Sequence, residues 1–209
     1  MKTLGIIGAG DLGQQIAHYA LYDRHYEKVV FFDDFSTAEL INDIPLIGKT
    51  NDVEKAFNDN IFDELLIAVG YKHLSIKKEL FEKFEKKIPL GKIIHSTVTV
   101  DPSARIENGA VIYPGCIIDA HVIIKENAVL NIACAIAHDT IIGRHSFLSP
   151  RVAVAGFTTI GERCFLGINS TIIDNLKIND TVQIGAGSVV IKSIEKGGLY
   201  AGNPARFIK

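Results

Sequence analysis

A histidine followed directly by an aspartate, His138 and Asp139, stands in the stretch LNIACAIAHDTIIGRHSFLSP (130–150), which holds a second histidine, His145. Imidazole accepts protons near neutral pH, and a neighbouring carboxylate can orient the ring and stabilise its cation. Such a pair suits a reaction in which a nucleophile gives up a proton as it attacks. Adjacent residues of a flat strand point to opposite faces, so the pairing requires the chain to bend at this point. An ordinary solvated histidine is the alternative at either position.

A second group lies near the start. GAGDLG (8–13) places Gly8, Gly10 and Gly13 in the spacing Gly-x-Gly-x-x-Gly, with Asp11 inside it. The run follows an apolar strand, LGIIG (4–8), and opens a helix, QQIAHYALYDRH, which leads to the strand VVFFDD (29–34). In this setting backbone amides approach a phosphate at the helix N-terminus, and Asp33 or Asp34 lies where a ribose hydroxyl is met. A third strand, ELLIAVG (64–70), ends in Gly70, which joins the candidate binding residues, and a charged helix around 75–87 completes the unit. A dinucleotide fold uses two such halves and only one is present, so a mononucleotide is expected. The competing reading is a glycine turn needed only for tight packing of strand on helix.

These groups sit on elements of different period. From Ile94 to Val190 every sixth residue is Ile, Leu or Val without exception. That is a hexapeptide-repeat solenoid. Four places after each aliphatic the residue is usually small, as at Ala110, Cys116, Ala128, Cys134, Thr140, Ser146, Thr158, Cys164, Ser170 and Ser188. Alternating large and small inward residues fill a narrow coil. All three cysteines occupy the small slot, so they read as buried small hydrophobes rather than thiol nucleophiles. The expected division is a Rossmann-like βαβ domain over residues 1–90 and an all-β, parallel β-helix over 91–209.

Composition narrows the function. The 209 residues are 47% hydrophobic with a formal net charge of -2, which gives no basic excess for gripping nucleic acid or an anionic membrane. Apolar runs fall short of the roughly 20 residues of a membrane span, and the opening segment reads as strand and turn rather than a signal peptide. A cytoplasmic protein with neither a nucleic acid nor a membrane partner is expected.

Residues 94–209 resemble the left-handed parallel β-helix of the hexapeptide-repeat acyltransferases, and the left hand is implied by that resemblance alone. With the first domain added, the whole chain resembles the bacterial sugar acyltransferases that N-acetylate nucleotide-linked 4-amino-sugars, together with the related sialic acid O-acetyltransferases. His138-Asp139 followed by Ile142-Gly143 matches that family's histidine-acid-x-x-Ile-Gly context. The resemblance implies acetyl-CoA as co-substrate, no metal, and a homotrimer with active sites between subunits. It implies His138 as the base, Asp139 beside it, and the amide of Gly156, one coil further on, as the oxyanion donor. Gly167 and Ile168 are implied beside the pantetheine arm, Gly202, Asn203, Pro204 and Ala205 near the adenine end, and Arg206 at a CoA phosphate. Asn131 is implied near the sugar amine. Relatives often carry a further histidine nine residues after the base, where this chain has Phe147; His145 lies two residues earlier and, in a strand, would share its face.

The expected acceptor is an amino-sugar on a nucleoside diphosphate, UDP for preference, in surface glycan biosynthesis, with O-acetylation of sialic acid or another sugar as the alternative. Two further readings are a zinc-dependent carbonic anhydrase of the β-helix type, whose histidine spacing is not matched here, and a scaffold in which the first domain only senses a nucleotide.

Overall fold

The structure is a computed structural model that describes residues 2–209. Two compact units partition the chain, residues 1–93 and 94–209.

In the first unit, apolar runs form the parallel strands β1 (Thr3–Ile7), β2 (Lys28–Phe32), β4 (Ile44–Gly48) and β5 (Glu64–Ile67), with the short antiparallel β3 (Leu40–Ile41) at one edge. The strand order is β3-β4-β2-β1-β5. The chain runs outward from β1 to β2 and β4, then returns to place β5 on the other side of β1. The carboxyl ends of β1 and β5 therefore form the switch point at which open α/β sheets bind ligands. Helices α1 (Asp11–Tyr22), α2 (Val53–Asn58) and α3 (Leu74–Phe84) complete the unit. Leu4, Ile6, Ile16, Ala17, Phe31, Phe32, Leu65 and Phe81 make its core. The β3–β4 hairpin was not read from the sequence. Its turn residues Asn42 and Asp43 both adopt left-handed backbone (φ 49° and 63°), the requirement of a tight two-residue hairpin.

The second unit is a left-handed parallel β-helix of two-residue strands. Three sheets make its faces: one runs through Ile117–Ile118, Ala135–Ile136 and Ala153–Val154, the next through Ile123–Ile124, Ile141–Ile142 and Thr159–Ile160, and the third through Val129–Leu130, Phe147–Leu148 and Phe165–Leu166. They are called here the first, second and third sheets. Ile118 pairs with Ile136 and Ile136 with Val154, a step of eighteen residues and so three hexapeptides per coil. The aliphatic of each hexapeptide points to the axis: Ile118, Ile124, Leu130, Ile136, Ile142 and Leu148 are buried in one continuous cluster. Each such side chain contributes roughly 1.5–3 kcal/mol by leaving water.

The small slots do more than fill space. Ser146 Oγ donates to the carbonyl of Gly161 at 2.8 Å, Thr140 Oγ1 to that of Ala155 at 3.1 Å, and Thr158 Oγ1 to that of Ile173 at 3.1 Å. Buried hydroxyls thus hold one coil to the next and satisfy their own hydrogen bonds. Cys116, Cys134 and Cys164 are buried and unoxidised in the same slots. Among the described residues no helix is long and apolar enough to cross a membrane.

Candidate active site

Most corners of the β-helix turn on a residue in left-handed conformation. At the edge between the first and second sheets these are His121, Asp139, Phe157 and Asn175, with φ of 59°, 56°, 55° and 59°. This reversal removes the strand alternation that would have set His138 and Asp139 on opposite sides. The Asp139 Oδ2 atom lies 3.0 Å from His138 Nδ1, and both side chains remain open to solvent, 48% and 38% exposed. A carboxylate only accepts hydrogen bonds, so Nδ1 carries the proton and Nε2 presents its lone pair.

One coil along, the ring of His138 lies over Gly156. A Cβ at that position would come within 2.8 Å of His138 Cε1 and 2.9 Å of Nε2, so a side chain there would push the imidazole out of this position. The amide of Gly156 has no cap from the side chain before it. At two other corners the preceding side chain caps the amide: Asp119 Oδ1 accepts from Ala120 at 2.8 Å and Asn131 Oδ1 from Ile132 at 2.7 Å. Before Gly156 stands Ala155, which has no acceptor to offer. A lone pair and an uncapped N–H thus share one corner, able to take a proton and to stabilise a developing negative charge. Along the first sheet, Ile117, Ala135, Ala137, Ala153 and Ala155 line a shallow apolar groove of about 340 Å³ leading to this corner.

Other expected residues are placed elsewhere. Asn131 lies at the corner between the third and first sheets, with its side-chain oxygen taken by Ile132. Gly167 and Ile168 occupy that same corner, Ile168 half-exposed, and the tail residues Gly202, Asn203, Pro204, Ala205 and Arg206 lie in a hairpin added to the third sheet. The exposed Arg206 Nη1 donates to the carbonyl of Ala205 at 3.1 Å. Within one protomer, then, His138 and these segments flank opposite ends of the first sheet.

His145 departs from expectation. It is a corner residue (φ 60°), not a strand residue, so it does not share a face with Phe147. It is fully buried between the second and third sheets, where Asn127 Nδ2 lies 3.0 Å from its Nδ1. It cannot replace a second histidine beside His138. Among the described residues of one chain, no group of three or more His, Cys, Asp or Glu side chains is placed to hold a metal ion.

In the first unit the glycines divide by role. Gly8 has φ +102°, and a Cβ there would meet the Ala68 carbonyl oxygen at 2.8 Å, while a Cβ on Gly13 would collide with the Gly8 carbonyl. These two are required by packing. Gly10 and Gly70 are different: open space surrounds the position of a Cβ at both. They cap the helical turns that follow β1 and β5, neighbours at the switch point. Asp11 stands exposed in the first turn of α1, a negative charge placed favourably at a helix N-terminus.

Both aspartates after β2 are internally engaged. Asp33 Oδ2 accepts from the Ala9 amide at 2.8 Å, and Oδ1 accepts from Phe35 and Ser36 at 2.8 and 3.0 Å. Partial burial pushes its pKa up, but these amides outweigh that and hold the carboxyl below the usual carboxylate range. Asp34 receives the Thr50 amide and hydroxyl at 2.9 and 2.8 Å. The sequence reading missed Phe35, which is 95% exposed on this loop beside the glycine turn. It also missed Phe157, whose ring stands edge-on to His138 with centroids 5.1 Å apart. The signal available was an aromatic residue next to each motif.

Residues 3–84 match the PglD N-terminal domain family, and residues 157–192 match the bacterial transferase hexapeptide (six repeats). Among solved structures, the acetyltransferase domain of PglB from Neisseria gonorrhoeae is 30% identical, with all of both chains covered and a TM-score of 0.92; its complex with acetyl coenzyme A matches equally in identity. The perosamine N-acetyltransferase PerB from Caulobacter crescentus, solved with CoA and GDP-perosamine, is 25% identical over 100% of this chain and 98% of its own, with a TM-score of 0.91. No curated protein sequence matches the chain.

Proposed function

The chain belongs to the bacterial hexapeptide-repeat sugar acyltransferases, and from that premise we propose that it transfers the acetyl group of acetyl-CoA to the amine of a nucleotide-linked amino-sugar, with His138 as the base. The observation that carries this reading is the corner itself: an imidazole oriented by Asp139 through Nδ1, with Nε2 packed over Gly156.

The amine attacks the thioester carbonyl and a C–N bond forms. The amine proton passes to His138 Nε2, and Asp139 steadies the imidazolium. The oxygen of the tetrahedral intermediate takes the Gly156 N–H, the C–S bond then breaks, and His138 returns the proton to the departing thiolate. Gly167 and Ile168 lie along the pantetheine arm, Gly202, Asn203, Pro204 and Ala205 by the adenine, and Arg206 meets a CoA phosphate. These segments and His138 flank opposite ends of one sheet in a single protomer, which supports a homotrimer in which one subunit presents the base and its neighbour the coenzyme.

The first unit holds the nucleotide. Gly10 and Gly70 let the diphosphate approach the backbone, while Asp33 and Asp34 shape the loop and offer their remaining lone pairs to the ribose. Phe35, with nothing packed on its ring, is a platform for the base. UDP is the expected nucleotide, and GDP, carried by the sugar bound to the Caulobacter enzyme, is the next to try. The test is thiol release from acetyl-CoA with a panel of UDP-, GDP- and dTDP-linked amino-sugars and the corresponding free sugars. A free sugar such as sialic acid acetylated as fast as any nucleotide conjugate would replace this reading with O-acetylation.

A further inference from the structure

The corner that carries His138 has a feature the acyl-transfer chemistry does not account for. In register with Asp139, one coil along, stands Phe157, in left-handed backbone with φ 55°. At the same edge His121 and Asn175 occupy the equivalent places, residue types that tolerate this conformation. A phenyl side chain gains no local hydrogen bond there, and a bulky residue at positive φ is strained. Its ring is not recovered by burial either, being 58% exposed. What it touches is the base: the two rings meet edge to face at 84°, and the Phe157 amide donates to the His138 carbonyl at 3.1 Å. Phe157 directly follows Gly156, the residue under His138 Nε2.

We propose that Phe157 is a specificity-determining residue that holds the acceptor sugar, its exposed phenyl face packing on the apolar C–H face of the pyranose ring so that the amine meets His138 Nε2. This rests on the amino-sugar acetyltransfer reading above. An aromatic ring offers a large flat apolar surface without conformational freedom of its own. The pantetheine arm of the coenzyme is assigned to the corner of Gly167 and Ile168 and its thioester oxygen to the Gly156 amide, which leaves the exposed phenyl face to the acceptor sugar. A strained, solvent-facing aromatic is retained because it is used only when the acceptor is bound.

The test is Phe157→Asn alongside Phe157→Tyr, with wild-type turnover of a nucleotide-linked amino-sugar measured first. Asparagine suits left-handed backbone, so the fold keeps or gains stability while the platform is lost. The amino-sugar KM rises about tenfold, the scale of one well-packed aromatic contact. The acetyl-CoA KM stays within about twofold, since the lost contact belongs to the acceptor. Phe157→Tyr, which keeps the flat face, retains the wild-type acceptor KM. An unchanged acceptor KM in Phe157→Asn overturns the proposal, as does a lowered melting temperature with equal losses for both substrates. Dissociation of the variant on sedimentation would place the ring against a second copy of the chain and overturn it too. Absence of wild-type turnover across the whole panel would instead count against the acetyltransfer reading itself.

Discussion

His138 and His145 differ by what surrounds them, not by residue type. The first is open to solvent, tied to Asp139 and seated over Gly156; the second is fully buried and paired with Asn127. His138→Ala is therefore expected to lower kcat by roughly 100-fold or more, the range of general base catalysis, with acetyl-CoA binding retained. His145→Ala leaves kcat close to wild type but destabilises the fold by about 2–4 kcal/mol, through a cavity and an amide left without its acceptor. Steady-state kinetics and thermal denaturation of the two variants separate these effects, and equal losses of kcat would contradict the assignment. Asp33 adds a pH dependence. Its folded pKa is depressed below the ordinary value, so its stabilising effect is present above that value and is lost as pH falls through the folded one. Melting temperature should consequently drop on acidification below about pH 4, the unperturbed range, and the drop should be smaller in Asp33→Asn.

At the level of elements, the six-residue period was fully legible because each aliphatic must reach the axis, and the register of eighteen residues per coil follows from it. In the first unit β1, α1, β2, β5 and α3 were legible as well, although α1 begins at Asp11, inside the glycine motif, while α2 went unread and the β3–β4 hairpin was hidden in a short run with a two-residue turn. What sequence could not reveal was which member of the pattern Gly-x-Gly-x-x-Gly serves the ligand. Gly8 and Gly13 are compelled by contacts with Ala68 and with each other, partners distant in sequence or set by the turn itself. Gly10 is compelled by nothing in the fold. Gly13→Ala should accordingly unfold or strongly destabilise the first unit, by about 1–3 kcal/mol or more from overpacking. Gly10→Ala should melt like wild type yet raise the nucleotide-sugar KM roughly tenfold, the signature of lost uniform binding. A Gly10→Ala enzyme with unchanged KM would reduce the whole motif to packing. Asp33 and Asp34 were read as ribose ligands, and their types were right for that; the structure shows their first duty is to pin Ala9 and Thr50, which only the fold brings near.

For the whole molecule, the decisive geometry is that a single β-helix separates the residues proposed for its chemistry. His138 and Gly156 stand at one edge of the first sheet, Gly167 and Ile168 at the other, and the groove of small residues between them is shallow and open. Small side chains such as Ala135 and Ala153 allow a second backbone to approach closely, and a cyclic trimer would bring the base edge of each subunit to the coenzyme edge of the next. This predicts sedimentation as a trimer at micromolar concentration, and it predicts complementation. His138→Ala removes the base but keeps the coenzyme edge; Ile168→Asp, at a half-exposed position, damages the coenzyme edge but keeps the base. Each variant alone should be nearly inactive. Co-expressed with two different tags and purified through both, they assemble mixed trimers in which a site is intact when an Ile168→Asp subunit supplies His138 and a His138→Ala subunit supplies Ile168. With a cyclic interface every mixed trimer has one of its three sites in that condition, so activity should recover to about one third of wild type. Mixed trimers no more active than their parents would mean that base and coenzyme edge act within one chain.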